Sequence, residues 1–431
     1  MRKHLLETFD KIYILDLHGS SKKEEKSLDG SQDQNVFDIM QGVSINVFIK
    51  TSNKKALATI FHFDSFGKRD DKYTFLNMNS INSIDWVNLD FREPYFFFVP
   101  KDFSQAREYN KYFNLSALVP KYVSGFQTKR DKVTIQIKQD DLDTIYKFFT
   151  ESEIEKTRNF LDLPPDGRDW KVEWAKNDLL NNHPRKLKVM YRPFDYRYTY
   201  FTGKSKGFVA YPREEMINHL QKEDNVSLIT CRQQSTFDFQ HVFTSRLISD
   251  MCNISSQTKE TGYIFPLYLY QDKAEQENLE GVLNRTPNLN QKIVNQISDK
   301  LDLTFTNEKD VSTSSTTDTN FAPIDILDYI YAVLHSPTYR EKYKEFLKID
   351  FPRVPYPKDK ETFWKLVKLG GEIRELHLLE SPKVNEAITS YPIGGDNTIT
   401  RKLNKNDWEL FDVENQLGRI WINSTLIIFL Y

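Results

Sequence analysis

"KIYILDL", residues 11–17, is a nearly continuous apolar run set between the polar "ETFD" and the charged loop "HGSSKKEEKSLDGSQDQ". A short run of this kind is the signature of a β-strand covered on both faces. The preceding "RKHLLETF", residues 2–9, has the spacing of a short helix, while "VSINVFIK" at 43–50 and "ALATIFHFDSF" at 56–66 have the composition of two further strands. Helix, buried strand, loop and more strands make an α/β unit with a parallel or mixed sheet over residues 1–102. No earlier strand, helix and Gly-rich turn come before it, so the sheet reads as one that lacks its beginning.

Beyond residue 102 the pattern changes. Residues 103–187 are mainly helical and are expected to pack as a spacer; "DDLDTIYKFFTESEIEKTRNFL" at 140–161 puts Leu142, Ile145, Phe148 and Phe149 on one face. From 188 to 431 short strands return in a mixed α+β pattern. "VSLITCRQQ" (226–234) and "YIFPLYLY" (263–270) are strands, the second apolar enough to be central in a sheet. "TNEKDVSTSSTTDTN" (306–320) has no apolar periodicity and reads as a flexible segment. "IDILDYIYAVLHSP" then predicts a helix stopped at Ser336-Pro337, "TYREKYKEFLK" a second one, and "DFPRVPYP" an extended connector, because its prolines forbid a helix. Residues 359–380 form a last amphipathic helix in which Gly370 and Gly371 allow close approach or a bend.

The 431 residues carry 59 basic and 61 acidic side chains, a net charge of -2 that argues against indiscriminate binding to nucleic acid. No apolar run approaches the ~20 residues a membrane helix needs, so no membrane partner is expected. "MRKHLLETFD" lacks the apolar stretch of a secretory signal. Two cysteines, Cys231 and Cys252, support neither a disulfide framework nor a cysteine metal site, and a reducing, cytoplasmic setting follows. The eight histidines are scattered, with no pair at i+3 or i+4, and read as structural rather than metal-binding. Gly-x-Gly-x-x-Gly, Walker, His-Glu-x-x-His and Gly-x-Ser-x-Gly patterns are all absent. "LPPDG" (163–167) has neither an amide acceptor before its prolines nor an aromatic after them, and reads as a stiff turn.

One stretch concentrates charge and rings. Between Arg185 and Arg213 stand eight basic residues against one acid, Asp195, together with eight aromatics. At its centre, "YRPFDYRYTYF" (191–201) alternates so that Tyr196, Tyr198 and Tyr200 share one face and Arg197 and Thr199 the other. The tyrosines are expected to anchor the strand, Pro193 to mark its entry, and Arg197 to project outward. Arginine clamps phosphate or reads guanine, lysine adds sequence-independent attraction, and glutamine reads adenine. The candidate DNA contacts are therefore Arg192, Arg197, Lys204, Lys206 and Arg213, with Arg232 and Gln233 from "TCRQQSTFDFQH". A bland alternative stays open, in which the rings are core and the arginines satisfy carboxylates such as Asp195.

"FDKIYILDLHGSSKK" with "DQNVFDIMQGVSINVFIK", then "YRPFDYRYTYF", "FPLYLY" and the long "YIYAVLHSPTYREKYKEFLKIDFPRVPYP" (329–357) resemble the C-terminal part of type ISP and type IIG single-chain restriction-modification enzymes. The resemblance implies that residues 1–102 are the closing half of a Rossmann-like adenine-specific DNA methyltransferase domain, and that 188–431 form a target-recognition domain, truncated at its C-terminus. It also implies duplex DNA as partner and S-adenosylmethionine as cofactor of the complete enzyme. The family's cofactor loop and Asn-Pro-Pro-Tyr motif fall upstream of Met1, so no catalytic or cofactor-binding residue carries over and the chain alone is expected not to methylate. Two alternatives accompany this: half of a split methyltransferase completed by an upstream polypeptide, or an inactive truncated gene product.

Overall fold

A computed structural model describes the chain except for residues 52–55, 222–223, 235–238, 256–257, 272–284, 310–318, 387–388, 391–398, 400–402, 413, 415–416, 422, 424–426 and 431. It is a mixed α/β protein of small sheets and helices that divides into two compact units, Met1–Gly370 and Gly371–Tyr431. Among the described residues no helix is long and apolar enough to cross a membrane.

The N-terminal sheet follows the sequence closely. After helix α1 (Arg2–Thr8), strand β1 (Lys11–Asp16) lies between β2 (Ser44–Ile49), antiparallel to it, and β3 (Thr59–Asp64), parallel to it; β4 (Val87–Leu89) closes the far side antiparallel to β3. Strand alternation sends Ile12 and Ile14 into one apolar cluster with Leu6, Ile60 and Phe96, and Leu15 and Leu17 into another with Val36, Phe75 and Trp86. That two-sided burial is what the unbroken run "KIYILDL" requires. Strand β2 differs: every residue in it is exposed, and Ile45, Val47, Phe48 and Ile49 keep 37–44% of their surface in solvent. It is the edge of this sheet.

Helix α2 (Arg69–Met78) is held against the loops by one buried lysine. Lys72 Nζ donates to the carbonyls of Leu17 and Gln34, each at 2.7 Å, and to Asp33 Oδ2 at 2.8 Å. Both side chains of the Lys72–Asp33 pair are 0% exposed.

A second core runs from Phe126 to Ile264. Helices Gln139–Glu151 and Val172–Asn181 contribute Leu142, Ile145, Phe149, Val172, Ala175 and Leu179 to it, and Ile154 of helix Ile154–Phe160 packs against it. The same cluster takes Val189, Met190 and Phe201 from a β-hairpin, and Ile229 and Ile264 from a four-stranded sheet. In that sheet Ser227–Cys231 lies between Val242–Ser245 and Gly262–Pro266, with Val123–Ser124 outermost. "VSLITC" is accordingly buried along the whole strand. "YIFPLYLY" is central only in its first half, since Tyr268–Tyr270 leaves to pair with Arg285–Pro287. The "LPPDG" turn is fastened by Asp166, which accepts from Val172 N and Arg158 Nη2, each at 3.1 Å.

Helix Pro323–His335 is buried on almost every side and ends, as expected, at Ser336, whose hydroxyl caps the next helix. "TYREKYKEFLK" is not one helix but two, Pro337–Lys342 and Lys344–Leu347, interrupted at Tyr343. The long helix Lys360–Leu378 crosses Pro323–His335 at Gly370, where a Cβ would lie 1.8 Å from the Asp328 carbonyl oxygen. Much of the segment read as flexible, 310–318, lies outside the described residues; Thr304–Phe305 and Asn320–Phe321 on either side pair in parallel. The second unit holds a sheet in the order Thr389–Ser390, Ile427–Leu430, Leu417–Trp421, Trp408–Asp412.

Candidate nucleic-acid interface

"YRPFDYRYTYF" is a hairpin rather than a single strand. Arg185–Arg192 pairs antiparallel with Asp195–Phe201, and Pro193 and Phe194 form the two-residue turn between Arg192 and Asp195. Two-residue hairpin turns ordinarily place a positive φ at their first central position. Proline, locked near about −65°, cannot do so. Instead Phe194 takes φ +62°, the pattern of a type II turn, and a register shift between Met190 and Arg192 lets the strands meet.

The alternation read from the sequence holds, but its facing is corrected. Arg197, Thr199 and Phe201 stand opposite Val189, Leu187 and Arg185, and Val189, Thr199 and Phe201 are buried. The tyrosine face is the half-buried one. There Tyr200 donates to Asp143 Oδ1 at 2.5 Å and packs against Tyr146 at 4.8 Å, while Lys188 sits 5.0 Å from the Tyr196 ring. Helix Gln139–Glu151 partly covers the tyrosine face, where Lys186 and Lys188 still reach solvent.

Arg192 and Arg197 are drawn inward by this packing. Their guanidinium carbons lie 3.8 and 4.2 Å from the centroid of Tyr191. Arg192 Nη1 donates to Asp250 Oδ1 at 2.7 Å, and Arg197 holds Asp195 with Nε at 2.9 Å and Nη2 at 2.8 Å. Tyr191 in turn donates to Asp131 at 2.7 Å, and burial together with that carboxylate pushes its phenol up to about 12. Burial raises Asp250 despite the neighbouring Arg192, and the Asp195 carboxylate raises Arg197. The bland alternative, arginines satisfying Asp195, therefore describes the local bonding of Arg197.

The seven candidate contacts do not form one patch. Lys204 and Lys206 are exposed in the loop after Phe201, at the opposite end of the hairpin from the turn, roughly 20 Å away at the usual rise per strand residue. Arg213 stands apart, at φ +65° with Nη2 donating to Ser124 Oγ at 2.6 Å. At the turn itself a ring pair forms. The Phe194 ring meets Phe243 at 5.2 Å, and Phe243 is in register with Ile229, whose strand ends at Cys231 immediately before Arg232 and Gln233. Arg232 is 57% exposed and paired with Asp350 at 2.9 Å, and Gln233 is exposed.

Sequence reasoning missed Lys171 and Trp174, which complete the base-end group: Lys171 and Lys206 lie 4.6 and 5.6 Å from the Trp174 ring. The i, i+3 spacing of Lys171 at a helix N-cap and Trp174 in its first turn was the available signal. It also passed over His18, which lies against three carboxylates, Asp16, Glu25 and Asp64. Asp16 and Asp64 are in register at the ends of the parallel strands β1 and β3, and His18 Nε2 is 2.8 Å from Asp64 Oδ1. These three offer ligand atoms within 4.8 Å of one another, a set suited to zinc or manganese. The imidazole is held by Asp64 and stacks on Phe66 at 4.0 Å.

The fold has solved counterparts. It is similar to the ATP-dependent Type ISP restriction-modification enzyme LlaBIII bound to DNA, with a TM-score of 0.68 and 20% identity over 99% of this chain and 27% of that one. A nuclease-deletion mutant of the Type ISP enzyme LlaGI in complex with a DNA substrate mimic gives 0.64 and 20% over 99% of this chain and 38% of that one. A DrdV–DNA complex gives 0.64 and 19% over 100% of this chain and 41% of that one. The chain thus spans between a quarter and somewhat over two fifths of those enzymes' length. No curated protein matches it. Residues 117–429 match the Type ISP C-terminal specificity domain, and with that match extending over most of its length the chain belongs to the Type ISP C-terminal specificity domain family.

Proposed function

We propose that this chain is the sequence-reading part of a restriction-modification adenine DNA methyltransferase. It grips duplex DNA and reads a short sequence, while methyl transfer from S-adenosylmethionine belongs to the complete enzyme. On this reading residues 1–102 close a methyltransferase domain, 103–187 are a spacer, 188–431 recognise the target, and the compartment is the cytoplasm. The observation that carries it is family membership over residues 117–429. Exposed Lys204, Lys206, Arg232 and Gln233 are proposed to touch DNA directly. Arg192, Arg197 and Arg213 are proposed to do so from the positions their internal partners give them.

Duplex binding followed by fluorescence anisotropy against salt tests this. The chain binds at low salt, and Lys204→Ala with Lys206→Ala lowers the slope of log affinity against log salt by about one for each phosphate contact removed. Absence of binding at low salt refutes the function; an unchanged slope refutes those two contacts.

A second reading, a split methyltransferase completed by another polypeptide, is favoured by β2. An exposed edge strand of sequence "SINVFI" offers both apolar surface and unpaired backbone to an added strand. Mixing the chain with the polypeptide encoded upstream and measuring methyl incorporation decides it, since an inert mixture sinks the idea.

A further inference from the structure

Phe194 occupies a position that the fold pays to keep. A bulky residue at φ +62° is in the left-handed region, which is disfavoured relative to ordinary backbone. Glycine or asparagine would fill the turn without that cost. The residue is nevertheless 51% exposed, so ordinary core burial does not account for the choice. Strain retained at an exposed residue points to a task for the side chain.

A neighbouring ring sets the direction of the side chain. Phe243, itself buried, meets Phe194 edge-on at 84° and 5.2 Å, which sets its direction while leaving it half open. The turn is braced from behind. Met190 N donates to Ile248 O and Asp250 N to Met190 O, both at 3.0 Å, and Arg192 ties the strand end to Asp250. Cations stand beside the tip: the guanidinium groups of Arg192 and Arg197 both lie against the Tyr191 ring, next to the turn. A rigid protrusion ending in an apolar ring with cations beside it has the make-up of a side chain that enters between stacked bases while its neighbours hold phosphates.

We propose that Phe194 is a wedge that inserts its ring at one base step of bound duplex DNA, unstacking and kinking it there. This rests on the duplex-binding reading above. The step it enters is read by deformability, so flexible pyrimidine–purine steps are favoured at a position where no hydrogen bond selects the base. The strain serves the insertion by keeping the ring presented before DNA arrives, which lowers the ordering cost on binding.

Phe194→Gly and Phe194→Trp test it. The glycine variant removes the ring and relieves the backbone, so it folds at least as stably as the native chain, and thermal melting verifies this. The target is first found by selecting from short random-sequence duplexes. Duplexes of the selected site then carry 2-aminopurine at each position in turn, with donor and acceptor dyes at the ends in a parallel set. With the native chain and Phe194→Trp, emission rises several-fold at one step and the end-to-end distance shortens. With Phe194→Gly both signals are lost, while most of the affinity, supplied by the cations, remains. An equal rise with Phe194→Gly, no bright step with the native chain, or a Phe194-dependent self-association with unchanged DNA signals overturns the wedge. Failure of the native chain to select any duplex is a separate result that removes the DNA-binding reading beneath it.

Discussion

Replacing Lys72 with methionine removes a charge and three hydrogen bonds while nearly preserving the length of the side chain. In the native fold the ammonium sits at 2.7–2.8 Å from two carbonyls and from Asp33, with no solvent access to either charged group. The variant leaves the Asp33 carboxylate buried with the Gly67 N–H, at 2.7 Å, as its remaining donor. Breaking a buried pair from one side costs ~3–5 kcal/mol. Adding Asp33→Asn removes the stranded charge, so the double variant is more stable than Lys72→Met alone. It does not return to the native level, because the Leu17 and Gln34 carbonyls still lack a donor, at ~1–3 kcal/mol for buried groups. Since a chain of two compact units need not unfold in one step, the fitting measurement is hydrogen exchange at α2 and the loop of residues 17–36, read as a local opening free energy. A loss below about 1 kcal/mol for Lys72→Met, or a double variant less stable than the single one, would refute the view that this pair latches the loop.

Gly370→Ala drives a methyl group into the Asp328 carbonyl and separates the two crossing helices, costing several kcal/mol by urea titration; an exposed Leu369→Ala change in the same helix serves as the mild control. Burial pushes the Cys231 thiol up to about 12, so at pH near 8 a thiol reagent modifies it only after urea is added; fast labelling in the native state contradicts the buried strand. Burial lowers His241, which stays neutral in the fold and takes its proton more readily once unfolded. Its contribution is thus complete above about pH 6.5 and is lost as pH falls below it, and His241→Asn flattens that part of the urea-midpoint profile.

What the sequence disclosed is tied to pattern length. "KIYILDL" and "IDILDYIYAVLHSP" are long enough for their periods to be unambiguous, and both elements stand where the periods put them. The hairpin turn was illegible because Pro-Phe carries none of the Asn-Gly or Asp-Gly chemistry that announces such turns; its positive φ is imposed by the strands on either side. The facing of Arg197 failed for a related reason. Alternation fixes which side chains share a face, whereas which face is covered depends on helix Gln139–Glu151, packed from some fifty residues upstream. The Lys72–Asp33 pair and the approach of His18 to Asp64 join residues far apart in the chain, and no local period records them.

On the proposed DNA-reading role, the continuous core from Phe126 to Ile264 bears on how specificity can be exchanged between such proteins. The hairpin is the obvious piece to transplant, yet a graft of residues 188–264 alone would part Leu142, Phe149 and Leu179 from Val189, Met190 and Phe201, leaving both halves of the seam wet. A stable chimera must carry residues 126–264 as one cassette, helices included, with its junctions outside it.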